Sequence, residues 1–443
     1  MTQAVAYPER LAIPPVPHPL VGSIRPPGSK SISNRALPLA ALSSVKRPVR
    51  VVGCLRSEDT EVMVEALRQL GYAVQTDWDL PMPVVTVHRG QQPLVPARSA
   101  ELFVANSGTT MRFLTALVSL GQGRYRLDGV PRMRERPIGD LLEALASLGV
   151  RAVSEHGNDC PPVIVHGGTW RGGRIAVRGD VSSQFLSGLL LAAPFAPSTT
   201  TFEVQGSLVS RPYVDMTLRM LHIFHLRATV VNDNTFLVPG DQATDGLSGG
   251  EYRVEPDASA ASYFFAAAAI TGGRITVPGL AMHSLQGDVC FVDVLERMGC
   301  VVTRGQDELT VQGGPLKGID VGMSDISDTV MTLAVVALFA EGPTTIRNVA
   351  HIRHKETDRL AALANELRRL GATVEEFADG LTIQPGPLHG AVLQTYKDHR
   401  MAMSLALVGL RIPGVIIDDP GCVAKTYPMF FRDLDQLRGS PHC

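Results

Sequence analysis

Residues 27–36, PGSKSISNRA, set Ser29, Ser31 and Ser33 among Lys30 and Arg35 just ahead of an apolar run. Hydroxyls and cations at the start of a helix suit an anion, because the first free backbone N–H groups and the helix dipole both favour negative charge there. Without an anion those cations sit at the unfavourable end of the dipole. The arrangement recurs with Arg112 after NSGTTM and Arg400 after YKDH. PRMRERPIGD (131–140) carries Arg132, Arg134 and Arg136 ahead of Pro137, a residue suited to the first helical position. HIRHKETDRLAAL (351–363) spaces Lys355 and Arg359 one helical turn apart, with Glu356 and Asp358 adjoining, and Lys425 stands in AKTYP. The chemistry on offer is recognition of phosphate and carboxylate groups. Each feature alone also has a plainer reading: helix caps for the hydroxyls, a solvated ion-paired face for 351–363, and no meaning for a lone lysine.

The chain of 443 residues exceeds the size at which one core keeps growing, so two domains are expected. Its net charge of −2 argues against a general nucleic-acid binder, so any anion site must come from local clustering. No apolar run approaches the ~18 residues of a membrane span. The opening MTQAVAYPERLAIPPVPHPL has prolines and a Glu-Arg pair where a secretory signal would be apolar, and a cytoplasmic protein is expected. Cysteines at 54, 160, 290, 300, 422 and 443 show no CxxC pair, which fits reduced thiols rather than a metal site.

These candidate residues fall on a repeat. Six apolar helix-like runs open at Ser29, Asn106, Ser182, Asp257, Ser327 and Asp398, spaced 70 to 77 residues apart. A second helix pattern, Leu-x-x-Leu-Gly before a Val-containing strand, lies between most openings, with His225 replacing the glycine in the third copy. The unit reads as helix-strand-helix-strand, and six copies divide into two domains of three. The first helix of each copy is apolar nearly all round and is expected to be buried, with sheets outside. If rotation relates the copies, the buried helices point their N-termini one way, and their dipoles favour anions at that end.

Over nearly its whole length the chain resembles the 5-enolpyruvylshikimate-3-phosphate synthase (3-phosphoshikimate 1-carboxyvinyltransferase) family of enolpyruvyl transferases. The matching motifs, in family order, are PGSKSISNRA, NSGTTMRF, PRMRERPIG, GDVSSQFLSGLL, LVSRPYVD, DASAASYF, HKETDRL, YKDHRMAM and AKTYP. The resemblance implies an α/β fold, a two-domain inside-out α/β barrel with three repeated units per domain, buried parallel helices and outer sheets. It implies a first domain over 27–255, mainly on the shikimate 3-phosphate side. A second, over 256–443 with 1–26, lies mainly on the phosphoenolpyruvate side, with the active site between them. The implied reaction moves the enolpyruvyl group of phosphoenolpyruvate to the 5-hydroxyl of shikimate 3-phosphate and releases phosphate, by addition and elimination through a tetrahedral intermediate. It is a step of chorismate and aromatic amino acid biosynthesis, a glyphosate target, with no metal or organic cofactor and a monomeric enzyme expected. The substrates together bring a charge of roughly −6 if each phosphate approaches −2. Lys30, Arg35, Arg136, Lys355, Arg359, Arg400 and Lys425 answer it.

Carried over residue by residue, the resemblance puts Lys30, Ser31, Arg35, Ser182, Ser183, Gln184, Ser210 and Tyr213 at shikimate 3-phosphate, joined by Asp328, His351 and Lys355. Phosphoenolpyruvate would meet Lys30, Asn106, Gly108, Arg136, Gln184, Arg359, Arg400 and Lys425. Asp328 is the candidate base for the 5-hydroxyl proton, although the same residue reads equally as a helix cap. Lys30 and Glu356 are candidates for moving the proton on the methylene carbon, and Lys425 for steadying the departing phosphate. A lysine crowded by cations is expected to hold its proton less tightly.

Some positions depart from the family pattern. His351 stands where asparagine is common, so a titration near pH 6.5 is expected. Phe113 stands where many members have proline, which bears on glyphosate sensitivity, and Pro38 should make the first helix begin late or bend. The related transferase acting on UDP-N-acetylglucosamine typically has a reactive cysteine in the loop matching 131–137, where this chain has none. A non-catalytic binder would be expected to lose one of Lys30, Asp328, Glu356, Arg359, Arg400 or Lys425, and all are present.

Overall fold

A computed structural model describes residues 6–242 and 247–439. The chain divides into two compact units. Gly28–Val254 forms a central unit, and the described residues up to Pro27 and from Glu255 onward form a terminal unit. Cys443 lies outside the described residues, while Cys54, Cys160, Cys290, Cys300 and Cys422 are free thiols.

The central unit contains α1 (Lys30–Ser43), α2 (Glu58–Gln69), α3 (Gly108–Val118), α4 (Gly139–Ser147), α5 (Ser183–Ala192) and α6 (Arg211–Ile223). The terminal unit contains α7 (Ala258–Thr271), α8 (Phe291–Arg297), α9 (Val330–Ala337), α10 (Arg359–Arg369), α11 (His399–Gly409) and α12 (Phe430–Gly439). The helices expected to be apolar all round are the buried ones: every residue of α3, α7, α9 and α11 is buried. In α7 the run YFFAAAAI leaves no polar face, and burial of Phe264 and Phe265 contributes about 1.5–3 kcal/mol each. The second helices are amphipathic, with α10 exposing Arg368 and Arg369 opposite its buried leucines.

Each copy adds strands that the helix-strand-helix-strand reading omits. Gly173–Arg178 runs parallel to Thr200–Gln205, which pairs antiparallel with Thr235–Val238, itself antiparallel to Thr229–Asn232. A strand thus precedes the buried helix and a hairpin follows the amphipathic one, except in the last copy, whose three-stranded sheet has no hairpin among the described residues. Distant segments complete the pattern where a copy lacks its own strand. Glu251–Arg253 pairs parallel with Val49–Val52 in the first central sheet, and Val21–Ser23 pairs parallel with Arg274–Pro278 in the first terminal sheet. Arg10–Ile13 closes the last sheet antiparallel to Val415–Asp418, so the motif-free N-terminal stretch supplies two strands.

The buried helices are parallel within each unit. Gln184 in the first turn of α5 donates to Thr109 in the first turn of α3 (3.2 Å), and Arg35 of α1 reaches Ser187 of α5. In the terminal unit Ser262 of α7, Thr332 of α9 and Ser404 of α11 form a hydroxyl chain (3.0 and 3.4 Å) in the early turns of each helix. The third copy's His225 adopts φ 59°, the left-handed conformation that Gly71, Gly149, Gly299 and Gly371 take at the same place in other copies. Pro38 does not delay α1, which begins at Lys30 and continues through the proline.

Candidate active site

The central unit gathers its cations around the first turns of α1, α3 and α5. Gly28 lets the chain enter α1 tightly: a Cβ there would lie 1.9 Å from the Gly53 carbonyl oxygen. Ser29 caps α1 by accepting from the Ile32 N–H (3.4 Å), so the cap reading holds for this serine. Lys30, nearly buried, stands 3.8 Å from Asp59, a buried carboxylate on α2. Ser31 is half-buried beside it, and its carbonyl accepts from Arg35 Nη1 at 2.8 Å.

Arg35 is buried, and among the described residues no carboxylate hydrogen-bonds to it. Its Nε donates to Thr217 (2.8 Å), and Nη2 donates to the Tyr213 carbonyl (3.1 Å) and Ser187 (3.4 Å). The guanidinium lies over the rings of Phe113 (5.1 Å) and Tyr213 (5.9 Å). Burial lowers its pKa to about 10, a cost that a bound anion would relieve. Phe113 in place of proline therefore supplies the face that carries Arg35. Ser210, at φ 53°, opens α6 and brings Tyr213 to Arg35.

Arg136 and Arg112 meet at the start of α3. Arg136 Nη1 donates to the Asn106 carbonyl (3.0 Å) and side-chain oxygen (3.3 Å), leaving its buried Nε without a protein partner. Arg112 donates to the carbonyls of Gly108 (3.1 Å) and Pro137 (2.9 Å). A Cβ on Gly108 would stand 2.4 Å from Arg136 Nη2 and 2.5 Å from Arg112 Nη1, so both guanidiniums lie where a larger residue would displace them. Ser182 caps α5 through the Gln184 N–H (3.3 Å), with Ser183 buried behind it.

The terminal unit holds the second cluster. Asp328 is not the cap of α9: it lies in the preceding turn Ser327–Thr329, and its carboxylate is taken by cations. Lys355 Nζ donates to Oδ1 at 2.6 Å, Arg359 Nη1 to Oδ1 at 3.3 Å, and Arg400 Nη2 to Oδ2 at 2.7 Å. Arg359 also binds Asp398 (2.8 and 3.3 Å) and Glu356 (2.9 Å), and these carboxylates hold its pKa above the ordinary arginine value against the cost of burial. Burial pushes the Lys355 ammonium down, with the neighbouring arginines adding less, while Asp328 opposes the shift. Lys425 is buried at the end of the turn Pro420–Lys425.

His351 departs from the expected titration near pH 6.5. Burial first, and Lys355 second, push its pKa down to about 3, so the ring is neutral at ordinary pH and substitutes for asparagine without adding charge. The structure also brings in residues the sequence reading passed over. Asp59 faces Lys30, Asp398 joins Arg359 to the first turn of α11, and Tyr263 accepts from Arg400 at 3.4 Å. Asp288, whose pKa burial and then Asp328 raise to about 6, bonds Ser259. Asp398 was readable as a cap in YKDHRM; the partners of Asp59 and Asp288 come from distant segments.

Among the described residues no three His, Cys, Asp or Glu side chains form a metal-binding group, and no helix is long and apolar enough to cross a membrane. The family model for EPSP synthase (3-phosphoshikimate 1-carboxyvinyltransferase) matches residues 15–434. The 3-phosphoshikimate 1-carboxyvinyltransferase of Trichormus variabilis is 47% identical over 432 residues, covering 97% of this chain and 100% of the relative. That of Proteus mirabilis is 47% identical over 435 residues, covering 97% and 99%. An EPSP synthase structure from Acinetobacter baumannii superposes with a TM-score of 0.79 at 26% identity, covering 97% of this chain and 98% of that one. The enolpyruvyl transferase NikO of Streptomyces tendae shares the fold, with a TM-score of 0.74 at 22% identity over 97% and 96% of the two chains. With its parallel buried helices, outer sheets and nine motifs in order, the chain belongs to the EPSP synthase family.

Proposed function

We propose that both cationic clusters serve one reaction, the central unit mainly taking shikimate 3-phosphate and the terminal unit mainly phosphoenolpyruvate. The activity is that of the family: the enolpyruvyl group of phosphoenolpyruvate passes to the 5-hydroxyl of shikimate 3-phosphate and phosphate leaves, in the route to chorismate and the aromatic amino acids. In our assignment Lys30, Ser31, Arg35, Ser182, Ser183, Gln184, Ser210 and Tyr213 bind shikimate 3-phosphate with Asp328, His351 and Lys355. Arg35 offers its fork to the carboxylate, and the hydroxyls suit the phosphate. Lys30, Asn106, Gly108, Arg136, Gln184, Arg359, Arg400 and Lys425 bind phosphoenolpyruvate.

The observation that carries this reading is Asp328, one carboxylate held by Lys355, Arg359 and Arg400. The anion draws Arg359 and Arg400 onto its own oxygens and leaves Asp328 a stronger base, so the 5-hydroxyl is deprotonated when its partner is in place. The hydroxyl oxygen then bonds to C2 of phosphoenolpyruvate while C3 gains a proton from Lys30 or Glu356. Elimination removes a proton from C3, re-forms the double bond and breaks the C2–O bond to phosphate, whose charge Lys425 receives. We further place the enzyme in the cytoplasm, in keeping with five free described cysteines, and propose that it acts as a monomer, as the family resemblance implies.

Phosphorus NMR of the enzyme mixed with both substrates tests the reading. We expect inorganic phosphate and an enol ether that retains the 3-phosphate to rise together, with neither formed when one substrate is omitted. Phosphate from phosphoenolpyruvate alone would refute it.

A further inference from the structure

The strand Val392–Gln394 reaches α11 through Thr395, Tyr396 and Lys397. Tyr396 and Lys397 both have φ of 55°, the left-handed region that residues with a Cβ enter only at a cost. Two such residues in succession persist only where the surroundings hold them, and such strain gathers at functional sites. The Asp398 N–H closes the turn onto the Thr395 carbonyl (2.9 Å), and Glu366, two turns into α10 and fully buried, braces it from outside. Tyr396 Oη donates to its Oε1 at 2.8 Å, and the Gln394 backbone N–H donates to its Oε2 at 3.0 Å. Arg369 Nε stands 3.3 Å from Oε2.

Directly after the strained pair comes Asp398. Its Oδ1 accepts the Arg400 backbone N–H at 2.8 Å, and its carboxylate binds Arg359 through Nε and Nη2. Arg359 begins the helix that carries Glu366. Helix α10 therefore grips the entrance of α11 on both sides of the left-handed turn, through Glu366 before it and Arg359 after it.

We propose that Glu366 is a positioning residue for the anion-binding pair Arg359 and Arg400. It holds the Tyr396–Lys397 turn in its left-handed form, that turn fixes Asp398, and Asp398 sets both arginines. The proposal rests on the assignment of Arg359 and Arg400 to phosphoenolpyruvate made above.

Steady-state kinetics of the full-length enzyme test it, with the KM for each substrate and the thermal midpoint read for every variant. Glu366→Ala should raise the KM for phosphoenolpyruvate about tenfold or more, the scale of a small misplacement of a binding group, and leave that for shikimate 3-phosphate within about twofold. Glu366→Gln keeps an acceptor for Tyr396 and should recover most of the loss. Adding Lys397→Gly to Glu366→Ala should also recover part of it, because glycine takes the left-handed form without strain. If Glu366→Ala does not fold, Tyr396→Phe, which removes one hydroxyl at a partly exposed residue, should raise the same KM a few-fold. A lowered midpoint with both KM values unchanged, or raised in equal measure, would overturn the proposal. Arg400→Lys is measured in parallel: an unchanged KM for phosphoenolpyruvate in that variant would sink the assignment of the arginine, whereas a defect there beside normal Glu366 and Tyr396 variants would sink only the role of Glu366.

Discussion

Arg400 Nη2 lies 2.7 Å from Asp328 Oδ2, so a cation assigned to phosphoenolpyruvate rests on the carboxylate assigned as the base. Lys355 and Arg359 bind the same carboxylate, so Asp328 holds three cations together. In the mechanism proposed above a bound phosphate takes over that task, so that ligand binding and base activation would be one event.

The first prediction concerns stability. Asp328→Asn removes the charge shared by three largely buried cations, and breaking such a pair costs about 3–5 kcal/mol. The thermal midpoint should fall, and 50 mM inorganic phosphate, set against chloride of equal ionic strength, should raise it more in the variant than in the parent. Calorimetry showing the same phosphate effect in both would count against the cluster as an anion site.

Gly108→Ala places a methyl within 2.5 Å of both the Arg136 and Arg112 guanidiniums. Arg136 must move, with loss of a charged hydrogen bond worth about 1.5–3 kcal/mol, or roughly ten- to a hundredfold in the KM for phosphoenolpyruvate. The glyphosate concentration needed for half inhibition should rise as well, and initial-rate measurements at limiting phosphoenolpyruvate check both.

Phe113→Leu keeps the apolar bulk under Arg35 but removes the ring face 5.1 Å from its guanidinium. A cation–π contact of about 0.5–2 kcal/mol corresponds to a KM for shikimate 3-phosphate raised between about two- and thirtyfold. Titration of shikimate 3-phosphate at saturating phosphoenolpyruvate reads the effect.

His351 gives a pH prediction with a definite sign. Its pKa falls from 6.5 unfolded to about 3 folded, so between these values the unfolded chain binds the extra proton. Stability therefore decreases as pH drops from 6.5 towards 3, and His351→Asn should flatten that decline in urea unfolding series. The same substitution should leave the rate profile between pH 6 and 8 unchanged, because the ring is already neutral there.

What the sequence made legible follows from periodicity and charge. The apolar runs predicted α3, α7, α9 and α11 as buried, and capping residues marked the starts of α3, α7 and α11, because both signals are local. The extra strands of each copy were not legible: Glu251–Arg253 and Val21–Ser23 are three residues long and find their partners far along the chain. Charge partners were hidden for the same reason. Asp328 reads as a cap until Lys355, Arg359 and Arg400 are brought to it, and the His351 titration predicted from an ordinary imidazole moves once the ring is buried beside Lys355.

The central claim is that Asp328 takes the 5-hydroxyl proton. Its most direct test is the turnover number for phosphate release by Asp328→Asn with both substrates saturating, alongside the binding of shikimate 3-phosphate by calorimetry. We expect turnover to fall by about 10²–10⁴, the usual contribution of a positioned general base, with shikimate 3-phosphate still bound. Turnover within a few-fold of the parent enzyme would contradict the account.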